Sequence, residues 1–259
     1  MATEIPARPA PDTIGEQNLR HLTDRVEQKT GGDYLRPKPA ATMILLDHAG
    51  SEPTVLMGKR NPKMRFMPGM FVFPGGRLDP ADRQMNIAGP LNEVVEYKLD
   101  QLRGARKPRM ARALALAAIR ETFEETGILL GTKDFGAPDN PPPGPWSDYA
   151  AHGVFPDLET IHFIARAVTP PARPRRFDAT FLAMDVSAIA GKVEGIVGPD
   201  AELVEIVRVP LSEALKLPLP DMQIVVLREL RARLDAGMSH YLPVPMYRTL
   251  NRRWVRQEI

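Results

Sequence analysis

Three glutamates, Glu121, Glu124 and Glu125, stand three and four positions apart near the end of a predicted helix. Residues at those offsets lie on one face of a helix, so the three carboxylates share one patch. Two like charges about 4 Å apart repel by about 4 kcal/mol at an effective dielectric constant near 20. A divalent cation relieves this repulsion, and hard cations such as Mg²⁺ prefer carboxylate oxygens. The spacing therefore predicts a metal site, with a solvated acidic face as the alternative for such a pattern taken alone.

The helix that must carry these glutamates has recognisable features along its length. Residues 111–119 are rich in Ala and Leu, which are strong helix formers. Gly127 stands where a left-handed C-terminal cap is expected, and Arg120 can reach Glu124 one turn ahead. Upstream, residues 73–76 read FPGG, and adjacent glycines allow positive φ and a close approach of the backbone to a ligand. A glycine bend in the same chain favours the metal site over the solvated face.

The run from Arg120 to Ile128 reads RETFEETGI. It resembles the second half of the Nudix box, G-x5-E-x7-R-E-U-x-E-E-x-G-U, in which U is aliphatic or Thr, and Gly76 resembles the opening glycine. The motif places fourteen positions between that glycine and the Arg, whereas Gly76 lies 44 positions before Arg120, so about 30 residues are inserted. Counted back from Arg120, the first Glu of the motif falls on Arg112, so local support of the helix is in question.

A second resemblance lies upstream of the glycines. The spacing of Arg60, Arg65, Gly69 and residues 73–76 is similar to an element of Nudix coenzyme A diphosphatases, approximately L-L-T-x-R-[SA]-x3-R-x3-G-x3-F-P-G-G. Three positions differ from the preferred types, namely Met57, Gly58 and Asn61. The long insertion within the box resembles the eukaryotic peroxisomal branch of the coenzyme A-cleaving enzymes.

The resemblance implies a fold and an activity. The expected fold is α/β: an α/β/α sandwich around a mixed β-sheet. The expected activity is Mg²⁺- or Mn²⁺-dependent hydrolysis of the diphosphate in coenzyme A or acyl-coenzyme A, giving 3′,5′-ADP and (acyl-)4′-phosphopantetheine. Hydrolysis of ADP-ribose or of a dinucleotide such as NADH is the nearest alternative. A non-catalytic nucleotide-sensing module is an alternative of another class, which the three retained glutamates disfavour.

Within the box, the resemblance implies roles for five residues. Glu121, Glu124 and Glu125 would be metal ligands, and the carbonyl of Gly76 would add an oxygen. Arg120 would orient Glu124 or another carboxylate rather than contact the substrate.

Outside the helix, the predicted substrate contacts are Arg60, Arg65 and the glycines Gly75 and Gly76. Guanidinium groups pair well with phosphate oxygens. The alternative for each arginine is a structural ion pair, for example with Asp79 or Asp82.

The general base is predicted to be an acid on a later loop. Glu202 is the first candidate, and Asp200 and Glu205 follow, because they flank the start of a predicted strand at 203–209. An exposed loop acid without a catalytic role is the alternative for each. Trp146 could stack on adenine, although packing is the favoured role, and His162 is expected to be packed or hydrogen-bonded within a strand.

Composition limits the remaining possibilities. The 259 residues are 43% hydrophobic and 25% charged, as in ordinary globular proteins. A net charge of +2 gives no reason to expect a nucleic-acid partner, and the absence of cysteine excludes disulfides and thiolate chemistry. No apolar run reaches the ~18 residues of a membrane span. We expect a cytoplasmic protein that acts on a small nucleotide-diphosphate substrate, with no membrane partner; a homodimer is compatible with this.

The chain is predicted to contain one catalytic domain with an extension at each end. Residues 1–37 form a partly disordered N-terminal extension, residues 38–236 the Nudix domain with an insert at about 77–109, and residues 237–259 a C-terminal extension. The predicted strands are 41–47, 54–59, 71–73, 160–168, 177–185 and 203–209. The predicted helices, besides the one that ends at Gly127, are 19–28, 91–102, 211–216 and 221–235.

Overall fold

The computed structural model describes residues 13–25, 35–101, 109–171 and 173–259. Its α-helices are α1 Ile14–Arg25, α2 Glu93–Gln101, α3 Met110–Thr126, α4 Pro145–Ala150, α5 Leu211–Ala214 and α6 Asp221–Asp235. Two 3₁₀ helices cover Pro80–Arg83 and Val186–Ala188. The strands are β1 Lys38–Asp47, β2 Thr54–Arg60, β3 Phe71–Val72, β4 Gly75–Arg77, β5 Ile128–Leu130, β6 His162–Val168, β7 Phe177–Asp185, β8 Ile189–Lys192, β9 Leu203–Pro210, β10 Pro245–Leu250 and β11 Arg253–Glu258.

Within the described residues, nine strands form one central sheet in the order β11-β10-β6-β7-β1-β2-β3, with β4 also paired to β1 and β9 to β2. The pairs β1–β7 and β10–β6 are parallel, and the other pairs of this sheet are antiparallel. Strands β5 and β8 form a separate antiparallel pair. The mixed sheet that the resemblance implies is therefore confirmed.

Strand β1 shows how the sheet separates two apolar cores. Side chains alternate between the faces of a strand, and accordingly Met43 and Leu45 pack with α2, α3 and α4. Ile44 and Leu46 pack on the opposite face with α1, α5 and α6. All four side chains are almost fully buried. Helices thus cover both faces, which confirms the α/β/α sandwich.

Helix α3 lies along β1, and its Ala-rich sequence permits this close approach. Almost every residue from Met110 to Phe123 is buried. The helix ends as predicted, because Gly127 adopts φ 75° and its N–H donates to the Phe123 carbonyl. The glutamates therefore lie in the last two turns, where the helix emerges from the core.

Several elements differ from the sequence-based predictions. Helix α1 begins five residues before the predicted start at 19, and residues 26–34 lie outside the described residues. The basic run at 103–107 also lies outside them. Helix α4 and strands β5, β8, β10 and β11 were not predicted. Within the described residues, no helix is both long and apolar enough to cross a membrane.

The segment predicted as a C-terminal extension belongs to the central sheet. Strand β10 pairs in parallel with β6, with Met246 opposite Arg166, and β11 forms a hairpin with β10. Tyr247 is fully buried in the core between the sheet and α6. The predicted boundary at residue 236 therefore divides one sheet.

Candidate active site

The glycine bend between β3 and β4 lies against the C-terminal end of α3. Strand β4 pairs with β1, which places Gly76 opposite Ala41. The Gly75 N–H donates a 3.3 Å hydrogen bond to Oε2 of Glu125. A Cβ atom at Gly76 would overlap the carboxylate of Glu121. Two of the three predicted metal ligands thus contact the bend, and a side chain at position 76 would displace the Glu121 carboxylate.

Arg120 is buried and gathers acidic groups from two elements. Its Nη1 donates to Glu121 at 3.0 Å and to Glu124 at 2.5 Å. Its Nε and Nη2 donate to the two oxygens of Asp82 at 2.7 and 3.2 Å, and Nη2 also donates to the Arg77 carbonyl at 2.9 Å. Burial lowers the pKa of Arg120, but the bonds and charge of Asp82 outweigh it, so the pKa is raised overall. The guanidinium therefore stays charged in the interior.

Asp82 is the acid on the other side of this guanidinium, and its side chain is fully buried. Its Oδ1 accepts a 3.0 Å hydrogen bond from the indole N–H of Trp146. Its Oδ2 accepts a 2.8 Å bond from the Asp79 backbone N–H, as part of a capping box on the 3₁₀ helix. A buried carboxylate needs such complete pairing, because an unpaired one is costly. Neither Asp82 nor Trp146 was among the predicted site residues.

The carboxyl groups on α3 differ in their surroundings. Burial raises the pKa of Glu125 well above its usual value, the charges of Glu202 and Glu121 raise it further, and the Gly75 N–H and Arg60 partly offset this. Burial also raises the pKa of Glu121, against the lowering effect of Arg120. The side chain of Glu124 is 37% exposed. Negative charge is thus concentrated around Glu125 and Glu121.

Glu202 is brought to this cluster by β9, which pairs with β2. Its carboxylate accepts a 2.8 Å bond from Arg60 Nη1, and Arg60 Nε donates to the Phe66 carbonyl at 3.0 Å. Arg60 therefore makes a structural ion pair, but with Glu202 rather than with Asp79 or Asp82. Arg65 is exposed, and its side chain makes no hydrogen bond or ion pair to another residue of the described ranges.

The other two base candidates pair with lysines rather than with Arg60. Asp200 makes an exposed ion pair with Lys63 at 3.7 Å, and Glu205 lies 4.0 Å from Lys59. Glu202 is the loop acid whose charge acts on Glu125. A cleft of about 530 Å³ opens beside Glu121. It is lined by Lys38, Pro39, Arg77, Leu78, Asp79, Arg120 and Glu121.

Comparison with solved structures decides the family. The chain is 30% identical to a crystal structure of a NUDIX hydrolase from Alicyclobacillus acidocaldarius, over 76% of this chain and 92% of that chain, with a TM-score of 0.57. The chain belongs to the Nudix hydrolase family. No family model matches the sequence.

Two curated relatives of this Nudix protein share a name. The chain is 29% identical over 177 residues to the acyl-coenzyme A diphosphatase NUDT19 of Homo sapiens, covering 49% of this chain and 46% of the relative. It is 32% identical over 114 residues to the Xenopus laevis protein of that name, covering 35% of this chain and 29% of the relative. The chain thus matches less than half the length of each curated relative.

The structure corrects the alignment of the Nudix box. Counted forward from Gly76, the first acid of the box falls on Asp82, and this residue binds Arg120. Counting back from Arg120 placed the first acid of the motif on Arg112 and so implied that this acid is missing. That interpretation was wrong. Asp82 still belongs to the first half of the motif. The insert, which was predicted at 77–109, therefore begins only after this residue. The forward count would have found Asp82 from the sequence.

Arg112 has a structural contact of its own. Its Nη2 donates a 2.6 Å bond to the carbonyl of Met85, which lies one turn after Asp82. The start of the insert is thereby tied to the first turn of α3. Arg112 therefore connects the start of the insert to the helix that follows it.

Nudix hydrolases use divalent metals, and the acids of this site suit one. Within the described residues, no three His, Asp or Glu side chains are already arranged as a metal cluster. Arg120 instead bonds Glu121 and Glu124. The nearby donors are all hard oxygens, which Mg²⁺-like ions prefer. Burial, and after it the charges of neighbouring carboxylates, raise the pKa of Glu121 and Glu125, and a bound cation would favour their charged forms. The oxygen donors of this site are therefore suitable ligands for a divalent metal ion.

Proposed function

We propose that this Nudix protein hydrolyses the diphosphate of coenzyme A or acyl-coenzyme A to 3′,5′-ADP and (acyl-)4′-phosphopantetheine, with Mg²⁺ or Mn²⁺. The observation that carries the proposal is the contact of Glu121 and Glu125 with the Gly75-Gly76 bend. Similarity to two acyl-coenzyme A diphosphatases supports the choice of substrate.

The metal would be held by Glu121, Glu125 and the Gly76 carbonyl, with Glu124 as a further ligand. When bound, the cation neutralises the diphosphate oxygens and makes water a better nucleophile. Arg120 holds Glu121 and Glu124 in the last turns of α3, next to the glycine bend, and these carboxylates would turn part of their oxygens from Arg120 to the ion.

Glu202 is the proposed general base. Its carboxylate is held by Arg60 and is close enough to Glu125 for their charges to interact. Glu202 would accept a proton from the attacking water as its oxygen bonds to phosphorus. The bond from that phosphorus to the bridging oxygen then breaks, and the second phosphate leaves. Glu125 stays with the metal and does not transfer this proton.

Substrate phosphates would contact Arg60, Arg65 and the backbone of Gly75 and Gly76. Arg65 is exposed and its side chain makes no hydrogen bond or ion pair among the described residues, whereas Arg60 already holds Glu202. The bare glycine backbone allows a phosphate to approach closely. The partner is thus a small nucleotide-derived molecule rather than a nucleic acid, in keeping with the net charge of +2. The cytoplasmic location and the homodimer stay predictions.

The test is to identify reaction products by mass. The purified protein is incubated with Mg²⁺ or Mn²⁺ and, separately, with coenzyme A, acetyl-coenzyme A, ADP-ribose and NADH. We expect 3′,5′-ADP and the matching phosphopantetheine from the first two compounds. AMP formed only from ADP-ribose or NADH would favour the alternative substrate class. Binding of a nucleotide without turnover would indicate a sensing module.

A further inference from the structure

Trp146 is a buried side chain that contacts the carboxylate network without touching the proposed metal ligands. It lies on the short helix α4, outside the Nudix box, and its side chain is fully buried. Its ring packs edge-on against Tyr149, with centroids 5.3 Å apart. Its N–H is the donor to Oδ1 of Asp82, at 3.0 Å. Asp82 is thus the one residue that lies between this indole N–H and the guanidinium of Arg120, which holds the carboxylates.

The contacts form a chain that ends at the metal site. Trp146 donates to Asp82, Asp82 accepts from Arg120, and Arg120 donates to Glu121 and Glu124. Oδ1 of Asp82 is shared by the indole and by Nε of Arg120, so the indole helps to fix the angle at which this oxygen meets the guanidinium. Bonds to a charged acceptor are short and directional.

The insert explains why such a distant contact is needed. In an uninterrupted box the first acid is eight positions before the arginine, whereas Asp82 is 38 positions before Arg120. The entropy cost of closing a loop rises with its length, so the longer connection restrains Asp82 less. Asp82 must therefore be held by tertiary contacts. Its capping box with Asp79 is a local contact, whereas Trp146, among the described residues, bonds Asp82 from a distant part of the chain.

We propose that Trp146 is a positioning residue that fixes Asp82 and, through Asp82 and Arg120, sets the affinity of the site for its metal. The inference rests on the proposed function, since it needs a divalent metal at Glu121 and Glu125. Trp146 thereby takes over, from a remote helix, the local support that a continuous box supplies.

The first test compares Trp146→Phe with Tyr149→Phe. Both substitutions remove one buried donor from α4 and keep an aromatic ring, but the Tyr149 hydroxyl bonds the Leu130 carbonyl and not Asp82. Free Mn²⁺ is titrated with each protein by electron paramagnetic resonance, without substrate. We expect Mn²⁺ to bind Trp146→Phe about 10-fold more weakly than wild type, the lower end of outer-shell effects. Tyr149→Phe should keep wild-type affinity, although both variants melt at lower temperature.

A double-mutant cycle tests whether the effect of Trp146 on Mn²⁺ binding passes through Asp82. In the Asp82→Asn background, adding Trp146→Phe should weaken Mn²⁺ binding by less than twofold, because the effect passes through Asp82. Independent, additive losses would overturn the proposal, and so would equal Mn²⁺ affinities for Trp146→Phe and wild type.

A measurement on the unmutated protein covers the case in which Trp146→Phe fails to fold. The chain has two indole N–H groups, and Trp254→Phe assigns them in a ¹⁵N–¹H spectrum. Titration with Mg²⁺ should shift the Trp146 signal more than the Trp254 signal. A Trp146 signal that stays fixed while Mg²⁺ binds would refute the inference but leave the proposed function intact. Wild-type protein that binds neither Mn²⁺ nor Mg²⁺ would refute both.

Discussion

At the scale of single residues, Arg120 has the largest effect on the site. One planar guanidinium binds Asp82, Glu121, Glu124 and a backbone carbonyl, each at a different N–H. Lysine presents one point charge and cannot reproduce this geometry. The proposed metal ligands are therefore positioned by a residue that need not touch the metal.

Replacement of Glu125 by Gln tests the proposed metal role directly. The change keeps the size of the side chain but removes the negative charge beside Gly75. Turnover at saturating Mg²⁺ should fall by about two orders of magnitude or more, because the cation loses an anionic ligand. Steady-state kinetics with coenzyme A measure this. Activity within a few-fold of wild type would remove Glu125 from the metal site.

Gly76→Ala tests the contact between the bend and the helix. The new Cβ would overlap the Glu121 carboxylate, so this side chain or β4 must move. We expect at least about a tenfold loss of kcat, since catalytic groups displaced by 1 Å can cost 10²-fold. Gly198→Ala is the control, because a Cβ there meets nothing within 4 Å. Equal kcat in the two variants would contradict the proposed role of the bend.

The sequence was sufficient to predict the glutamates but not their support. Glu121, Glu124 and Glu125 are neighbours on one helix, so their spacing alone puts them together. A forward count from Gly76 reaches Asp82, but no local periodicity reports that it contacts Arg120, 38 positions away, or that Trp146 bonds Asp82, 64 positions away. Glu202 was predicted as the first candidate for the general base, but its contact with Arg60 was not predicted. Its pairing with Arg60 follows from the register of β2 and β9.

At the scale of elements, β6 and the loop between α6 and β10 meet through two histidines. The rings of His162 and His240 stack with centroids 4.3 Å apart. Lys98 of α2 and Arg233 of α6 donate to backbone carbonyls of the same loop. Burial, His240 and Arg233 lower the pKa of His162 to about 4, with a smaller contribution from His48. The interface therefore favours neutral imidazole.

This interface predicts a loss of stability in acid. Between pH 6.5 and about 4, His162 takes up a proton in the unfolded chain but not in the folded one, so the stability falls as the pH falls. His162→Gln should flatten the dependence of Tm on pH across this window, while the exposed His152→Gln should not. Thermal melts followed by circular dichroism measure the effect. Parallel Tm curves for wild type and His162→Gln would contradict it.

Element boundaries were predictable where one face is apolar and the ends carry turn residues. Strand β7 and helix α6 begin and end at the predicted residues, 177–185 and 221–235. Strands β10 and β11 were missed because arginines interrupt their apolar alternation. Strand β10 forms by pairing with β6 and β11 by pairing with β10, and no local pattern encodes the pairing with β6.

At the scale of the whole molecule, a buried polar network joins the two ends of the chain. Tyr247 of β10 donates to Glu229 of α6, and Asn18 of α1 donates to both. Arg256 of β11 completes the network by donating to Glu229 at 3.1 Å. The buried carboxylate of α6 therefore joins this helix to α1 and to the β10–β11 hairpin.

Tyr247→Phe tests the contribution of this network. The change leaves Glu229 without one donor in the interior, which should lower the free energy of unfolding by about 1–3 kcal/mol. Tyr241→Phe is the control, because Tyr241 is 80% exposed and should leave stability unchanged. Urea unfolding at pH 7 gives both values. Equal stability of the two variants would indicate that the network adds nothing to folding.

The separation of Asp82 from Arg120 has a consequence for how such chains diverge and are recognised. Because the two side chains meet through space across 38 positions, chains with a longer or shorter intervening segment could make the same contact. A regular expression with a fixed gap would overlook them, whereas a split pattern joining G-x5-[DE] to R-E-x2-E-E across a variable spacer would retrieve them.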